Sequence, residues 1–362
     1  MQNLAHFIWL GDLSTTTKKI CCRLGVSSLS SWLPEIPIYF WVPDRLMAEA
    51  SMLFDAYSNV RICSIDHLLT YSCTTHINPM QISSQLKMLE LKPDTFTTYN
   101  PFIFQKDLLS IAIVAEYGGF FFDATVLFHE KPDLSLTTEL KVIGSKDIAP
   151  ELADVNAWVH ESDVCVFAAA EPGNKTLLRT LALYNSREFN DISISAHLVS
   201  ALAETYGEFP APEQRTACSL WVQNRQLRSR IIISPDGKLN VEKISMATWH
   251  SADRSVKENA WDRILSYTFM ICSQDFSKSH KFCELLLNDL DFRAFVVNAT
   301  NSDFLNSWFF PFLICANQHI PEYASLGSSS LQTMLALAQA NPHHIDKLTQ
   351  LLFAETPLKS HW

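Results

Sequence analysis

Asp107 and Asp123 stand sixteen positions apart in apolar surroundings, and their type and spacing make them the first candidates for chemistry. Asp123 is the one charged residue in the run Phe120–Phe128, FFFDATVLF. A carboxylate set into a buried strand is costly unless a cation, a hydrogen-bonding ligand or a helix terminus answers it. One reading is a structural aspartate that caps a nearby loop. The other is functional, because two carboxylates brought to one place by consecutive elements can accept hydrogen bonds from a ligand or meet a hard cation.

The elements that must position this pair can be read locally. Asn100 suits a helix N-cap, and Pro101 suits the first helical position, where a missing N–H costs nothing. Ile103, Ile111 and Val114 share one helical face with Leu108 beside them, and Asp107 falls on that face. Gly118 and Gly119 can close the helix in a left-handed conformation. The whole run 120–128 is then expected as one strand, too apolar for an edge and suited to the centre of a helix-covered sheet.

The segments Lys106-Asp107-Leu108-Leu109, Tyr117-Gly118-Gly119 and Asp123-Ala124-Thr125-Val126 together resemble the sugar-nucleotide-binding segment of DXD-type glycosyltransferases with the A-type fold. The likeness is to the capsular polysaccharide synthesis and initiating mannosyltransferase-like group, and more distantly to clostridial glucosylating toxins and bacterial effector glycosyltransferases. It implies transfer of a hexose from a nucleotide diphosphate sugar to an acceptor hydroxyl with retention, assisted by Mn²⁺ or Mg²⁺. A UDP-sugar is the favoured donor and a GDP-sugar the other. The departing diphosphate gains negative charge, which a divalent cation and fixed donors can neutralise.

The resemblance also implies roles. Asp123, Asp107 and Asp163 are its catalytic candidates, Asp163 as the polar residue at the start of a later strand facing the donor. Asp123, Thr125 and His250 are the metal candidates; Thr125 holds the position of the last DXD aspartate and offers only a neutral hydroxyl. His250 and Ser255 match an H-x4-S element that closes the diphosphate site, with Val256 where the family has Trp. Trp9 could stack on the base or serve as core. Lys106 could replace an Arg that the family carries three residues after Asp107, where this chain has Ser110. Tyr117 is expected to pack with its hydroxyl near the donor.

Along the chain, strands are expected at His6–Leu10, Ile36–Val42 and Asn59–Asp66, with a helix over Arg45–Tyr57 between the second and third. This alternation predicts an α/β fold with a Rossmann-like sheet. Residues 67–99 look like an insertion or lid with a helix near Ser84–Leu91. Leu140–Gly144 and Val164–Ala170 are further strands, and Asn174 should cap a helix over Lys175–Tyr184. Residues 192–206 and 213–228 read as helices. Arg230–Ser234 and Lys238–Ser245 read as a hairpin around Pro235-Asp236-Gly237. The expected division is a glycosyltransferase domain over 1–265, mixed α/β with helical insertions, and a helical C-terminal region over 266–362.

With 48% hydrophobic and 18% charged residues the chain can bury a large core. Its net charge of −10 argues against nucleic acid as the main partner; the partners that the resemblance implies are a nucleotide sugar and an acceptor glycan or protein. Nine scattered cysteines without a C-x-x-C pair read as reduced thiols of a cytoplasmic protein. No Sec signal is visible in MQNLAHFIWLGD, so delivery into a host cell would need a specialised route. The apolar stretch 304–316, interrupted by Pro311, is too short to span a bilayer; a helical core is its first reading and peripheral membrane contact its second. A non-catalytic module that binds a nucleotide sugar on the same fold is the alternative to the enzyme.

Overall fold

The computed structural model describes residues 3–70, 74–90, 101–128, 130–136, 139–146, 162–185, 194–206, 218–224, 229–233 and 239–244. The chain divides into two compact units: Met1–Asp12 with Leu24–Arg225 and Ser229–Ile244, and Leu13–Arg23 with Gln226–Arg228 and Ser245–Trp362. Of the second unit only Leu13–Arg23 is described. The boundary expected near residue 265, the helical region after it and the segment 304–316 lie outside the described residues. No helix among the described residues is long and apolar enough to cross a membrane.

The first unit is built on one mixed sheet. Its strands are β1 (Ala5–Ile8), β2 (Ile38–Val42), β3 (Val60–Ser64), β4 (Gly119–Phe122), β5 (Val126–Phe128), β6 (Leu140–Lys146), β7 (Ser162–Ala169), β8 (Cys218–Asn224), β9 (Ser229–Ile233) and β10 (Asn240–Ile244). They are ordered β3-β2-β1-β4-β7-β6-β8-β9-β10-β5. β1 pairs in parallel with β2 and β4, and β2 with β3. This is the expected Rossmann-like half. From β4 onward the pairing turns antiparallel through β7, parallel between β6 and β8, and antiparallel again from β8 to β5.

β4 explains its own lack of polar alternation. Phe120 and Phe122 stack on one face at 5.7 Å, where Phe122 also meets Phe7 at 5.8 Å. Phe121 points to the other face and packs on Phe167 at 5.5 Å. That second face is covered by apolar residues of α4 (Pro79–Glu90), α5 (Pro101–Tyr117), α6 (Lys175–Asn185) and α7 (Ile194–Tyr206). A strand covered on both faces has no use for a polar side chain on either.

The helix before it is shaped by the same burial. From Leu108 to Ala115 every residue of α5 is buried, whereas Phe102 and Ile103 are exposed. The helical face that Ile103 was expected to share with Ile111 and Val114 is thus buried at Ile111 and Val114 and exposed at Ile103. Gly118 and Gly119 end the helix as expected, with φ of 68° and 81°. Asn100, the expected cap, is outside the described residues.

Three further expectations change. Residues 120–128 are two strands, because the chain turns at Asp123, with Val126 N–H donating to the Asp123 carbonyl at 3.0 Å. β4 is central, but β5 is the last strand of the sheet. The segment expected as helix over 213–228 contains β8, whose backbone pairs with β6 and β9 on its two sides. Trp221 and Val222 are aromatic and β-branched, and pairing on both sides outweighs a helical spacing of apolar residues. The helix expected over 45–57 is a 3₁₀ turn, Asp44–Leu46, followed by α2 (Met47–Phe54).

Candidate functional site

The site is the three-residue connection Asp123-Ala124-Thr125 at the carboxyl end of β4. Three different elements hold its backbone. Asp123 N–H donates to the Cys165 carbonyl of β7 at 2.8 Å, extending the β4–β7 pairing by one bond. The Ala124 carbonyl accepts from Gly25 N–H of α1 (Thr16–Trp32) at 2.7 Å. The Thr125 carbonyl accepts from Ile244 N–H of β10 at 3.1 Å. Gly25 is required by closeness, since a Cβ there would lie 2.6 Å from the Phe7 ring and 2.9 Å from the Ala124 carbonyl oxygen.

So fixed, the Asp123 side chain is 7% exposed and meets two cations. Lys106 Nζ bonds Oδ1 at 2.5 Å, and Lys243 Nζ bonds Oδ2. Lys106 also pairs with Asp107 Oδ1 at 2.6 Å. Sequence spacing had set Lys106 on a different helix face from Asp107; its four-carbon stem nonetheless lets one ammonium reach both carboxylates. Side chains of Lys106, Asp107 and Lys243 keep 18%, 19% and 20% of their surface exposed, so the cluster is open to solvent at one side. Burial pushes the Lys243 ammonium down to about 7; the Lys106 charge adds to this and Asp107 opposes it. The bond to Asp123 works against that shift by favouring the charged form.

Lys243 was missed by sequence reading. It sits on β10 in register with Val126 of β5, which brings it beside the turn. Its neighbour Glu242 takes the opposite face and is buried.

Trp9 follows β1 as Asp123 follows β4, and these strands are parallel neighbours, so both lie at the carboxyl edge where open α/β sheets place their ligands. Trp9 is half-buried; its N–H donates to the Trp41 carbonyl at 3.0 Å and its Nε1 to the Asp12 carbonyl at 3.4 Å. Asp163 lies on β7, two residues before Cys165 and in register with Ile143; its side chain is outside the described part. Thr125 is buried in the turn itself. Tyr117 is not brought to this group. It lies eleven residues beyond Lys106 on α5, about 16 Å along the axis, and stacks on Trp41 at 5.5 Å. His250 and Ser255 lie outside the described residues.

A divalent cation of the kind the resemblance implies needs several hard oxygen ligands. Both Asp123 oxygens face ammonium groups, Asp107 shares Lys106, and Thr125 could add only a neutral oxygen. Among the described residues no group of three or more His, Cys, Asp or Glu side chains could hold a metal ion. The described residues do not fit a divalent cation.

A second carboxylate unremarked in the sequence shapes the surroundings. Glu116, buried on α5, accepts from the backbone N–H groups of Thr75, His76 and Ile77 at 2.5, 2.8 and 3.0 Å. It pins the loop that leads into α4, within the segment expected as an insertion.

No protein-family model and no curated protein matches this chain. Several solved structures are similar to it. One described as PaToxG Glycosyltransferase has a TM-score of 0.42 at 14% identity, covering 57% of this chain and 70% of that one. Mouse xyloside xylosyltransferase 1, in its apo form, has a TM-score of 0.35 at 8% identity, covering 58% and 84%. The glycosyltransferase GlyE of Streptococcus pneumoniae TIGR4 has a TM-score of 0.30 at 12% identity, covering 59% and 46%. At TM-scores below 0.5 such likeness assigns neither substrate nor reaction.

Proposed function

We propose that this chain is a glycosyltransferase that moves a hexose from a nucleotide diphosphate sugar, a UDP-sugar by preference, to an acceptor hydroxyl with retention. The observation that carries the reading is Asp123, buried at the carboxyl end of β4 and joined through Lys106 to Asp107 of the preceding helix. The motif resemblance assigns the donor to this segment, and a crevice at the carboxyl edge of a sheet is where such a ligand sits. Asp107 would accept hydrogen bonds from ribose or sugar hydroxyls, and Trp9 would meet the base. The acceptor we propose is a glycan or protein hydroxyl. Thr125 and Ser110 favour, as second reading, a module that binds a nucleotide sugar without turning it over.

A donor panel decides between them. UDP- and GDP-sugars are assayed for release of nucleoside diphosphate, with wild type and Asp123→Ala, in the presence and absence of Mn²⁺. The proposed enzyme hydrolyses at least one donor and loses that activity in Asp123→Ala. Undiminished activity in the variant removes Asp123 from the site, and binding without hydrolysis selects the second reading.

A further inference from the structure

We propose that Lys106 and Lys243 are the cationic element of the donor site, receiving the diphosphate and neutralising it as it departs, in the place that a divalent metal would take. This rests on the glycosyltransferase reading above and adds to it the means of leaving-group stabilisation.

Two lysines from distant parts of the chain, one on α5 and one on β10, put their ammonium groups on the two oxygens of one carboxylate. The spacing of the two cations is thus set by Asp123, whose backbone is itself held by β7. An ammonium has three N–H donors. Bonds to Asp107 and Asp123 use two on Lys106, and the bond to Asp123 uses one on Lys243, among the described residues. The remaining donors belong to side chains that keep about a fifth of their surface open. Two adjacent, partly desolvated ammonium groups are a receptor for a diphosphate, because charge-assisted bonds to phosphate oxygens strengthen where water is sparse. The metal alternative would need Asp123 to give up both partners.

In the transfer step the bond from the anomeric carbon to the β-phosphate oxygen breaks, and both of its electrons stay on that oxygen. The acceptor oxygen bonds to the same carbon, and its proton passes to the departing diphosphate. Until that proton arrives the diphosphate carries one more negative charge than it had in the donor, and this charge develops next to Lys106 and Lys243, where fixed cations lower a barrier.

The test uses the full chain and UDP as probe. UDP and uridine binding are measured by calorimetry with EDTA present for wild type, Lys106→Met, Lys243→Met, Lys243→Arg and Asp123→Asn. UDP-sugar hydrolysis is followed with EDTA and with Mn²⁺. Wild type should bind UDP and turn over donor in EDTA. Either methionine variant should weaken UDP binding by about 10- to 100-fold while uridine binding holds, and Lys243→Arg should restore most of it. Asp123→Asn, which leaves both cations but loosens their spacing, should weaken UDP binding less than either methionine variant and lose turnover; thermal melts confirm that each variant is folded. Turnover that vanishes in EDTA and returns with Mn²⁺ overturns the lysine proposal and leaves the glycosyltransferase standing. Equal UDP binding by wild type and both methionine variants also overturns it. Failure of any nucleotide or nucleotide sugar to bind removes the underlying reading as well.

Discussion

Gly25 places its amide 2.7 Å from the Ala124 carbonyl, so that bare helix backbone lies against the turn that carries Asp123. Replacing an interior helical glycine by alanine ordinarily stabilises by about 0.5–1 kcal/mol. Here the added Cβ meets the Phe7 ring and two backbone oxygens, those of Ala124 and Val126, at 2.6, 2.9 and 3.0 Å. Gly25→Ala is expected to reverse the usual sign and destabilise by about 1–3 kcal/mol. Urea titration checks it, and a stabilised variant would refute the contact.

Glu116 gathers three successive backbone N–H groups of residues 75–77. Glu116→Ala strands those donors and is expected to cost about 3 kcal/mol. Hydrogen exchange should accelerate at Thr75, His76 and Ile77 first, with β1 and β2 still protected. Uniform acceleration over the whole sheet would show that the loop is not held by Glu116 alone.

His6 gives the fold an acid limit. Trp41 Nε1–H donates to its Nδ1 at 3.1 Å, so the ring proton sits on Nε2 and donates to the Gly118 carbonyl, also at 3.1 Å. Burial lowers its pKa from 6.5 to about 4, with the Gly118 bond opposing. Between those values the unfolded chain holds a proton that the folded one lacks, so stability falls as pH drops from 6.5 towards 4, by up to about 3 kcal/mol. Above 6.5 this group adds no pH dependence. Melts from pH 4.5 to 7.5 should show this slope in wild type and a shallower one in His6→Phe.

Asp123 and Lys243 should be energetically coupled. A double-mutant cycle with Asp123→Asn and Lys243→Met is expected to give about 1–3 kcal/mol of interaction, with the double variant less damaged than the two single costs added. Additive costs would mean that the ion pair does not persist in solution.

How far the sequence foretold this molecule depended on the range of the forces involved. Asn174 was legible as a cap because capping is local, and its Oδ1 does accept from Thr176 and Leu177 N–H at 3.1 and 3.2 Å. The helix stop at Gly118-Gly119, the β9–β10 pair and the parallel strands β1 to β3 were legible for the same reason. β8 was misread because its pairing partners decide its form, and they lie elsewhere in the chain. The break at Asp123 was hidden because nine apolar-rich residues look alike whether they make one strand or two. Lys243 gave no signal at all: a lysine in a short hairpin strand is ordinary until tertiary structure sets it on a buried carboxylate.

The strand order constrains the sheet in another way. β4 and β5 stand six intervals apart, about 29 Å in a flat sheet, yet the chain passes from Phe122 to Val126 with a reach of about 14 Å. The sheet must curl, returning its last strand towards its middle, and the Phe122 and Phe128 rings meet at 4.9 Å across that return. Curling carries β10 round together with β5, so Lys243 meets Asp123 as a result of that return. Weakening the β10–β5 pairing would loosen the return and draw one of the two ammonium groups away from the carboxylate, with no residue of the cluster itself altered.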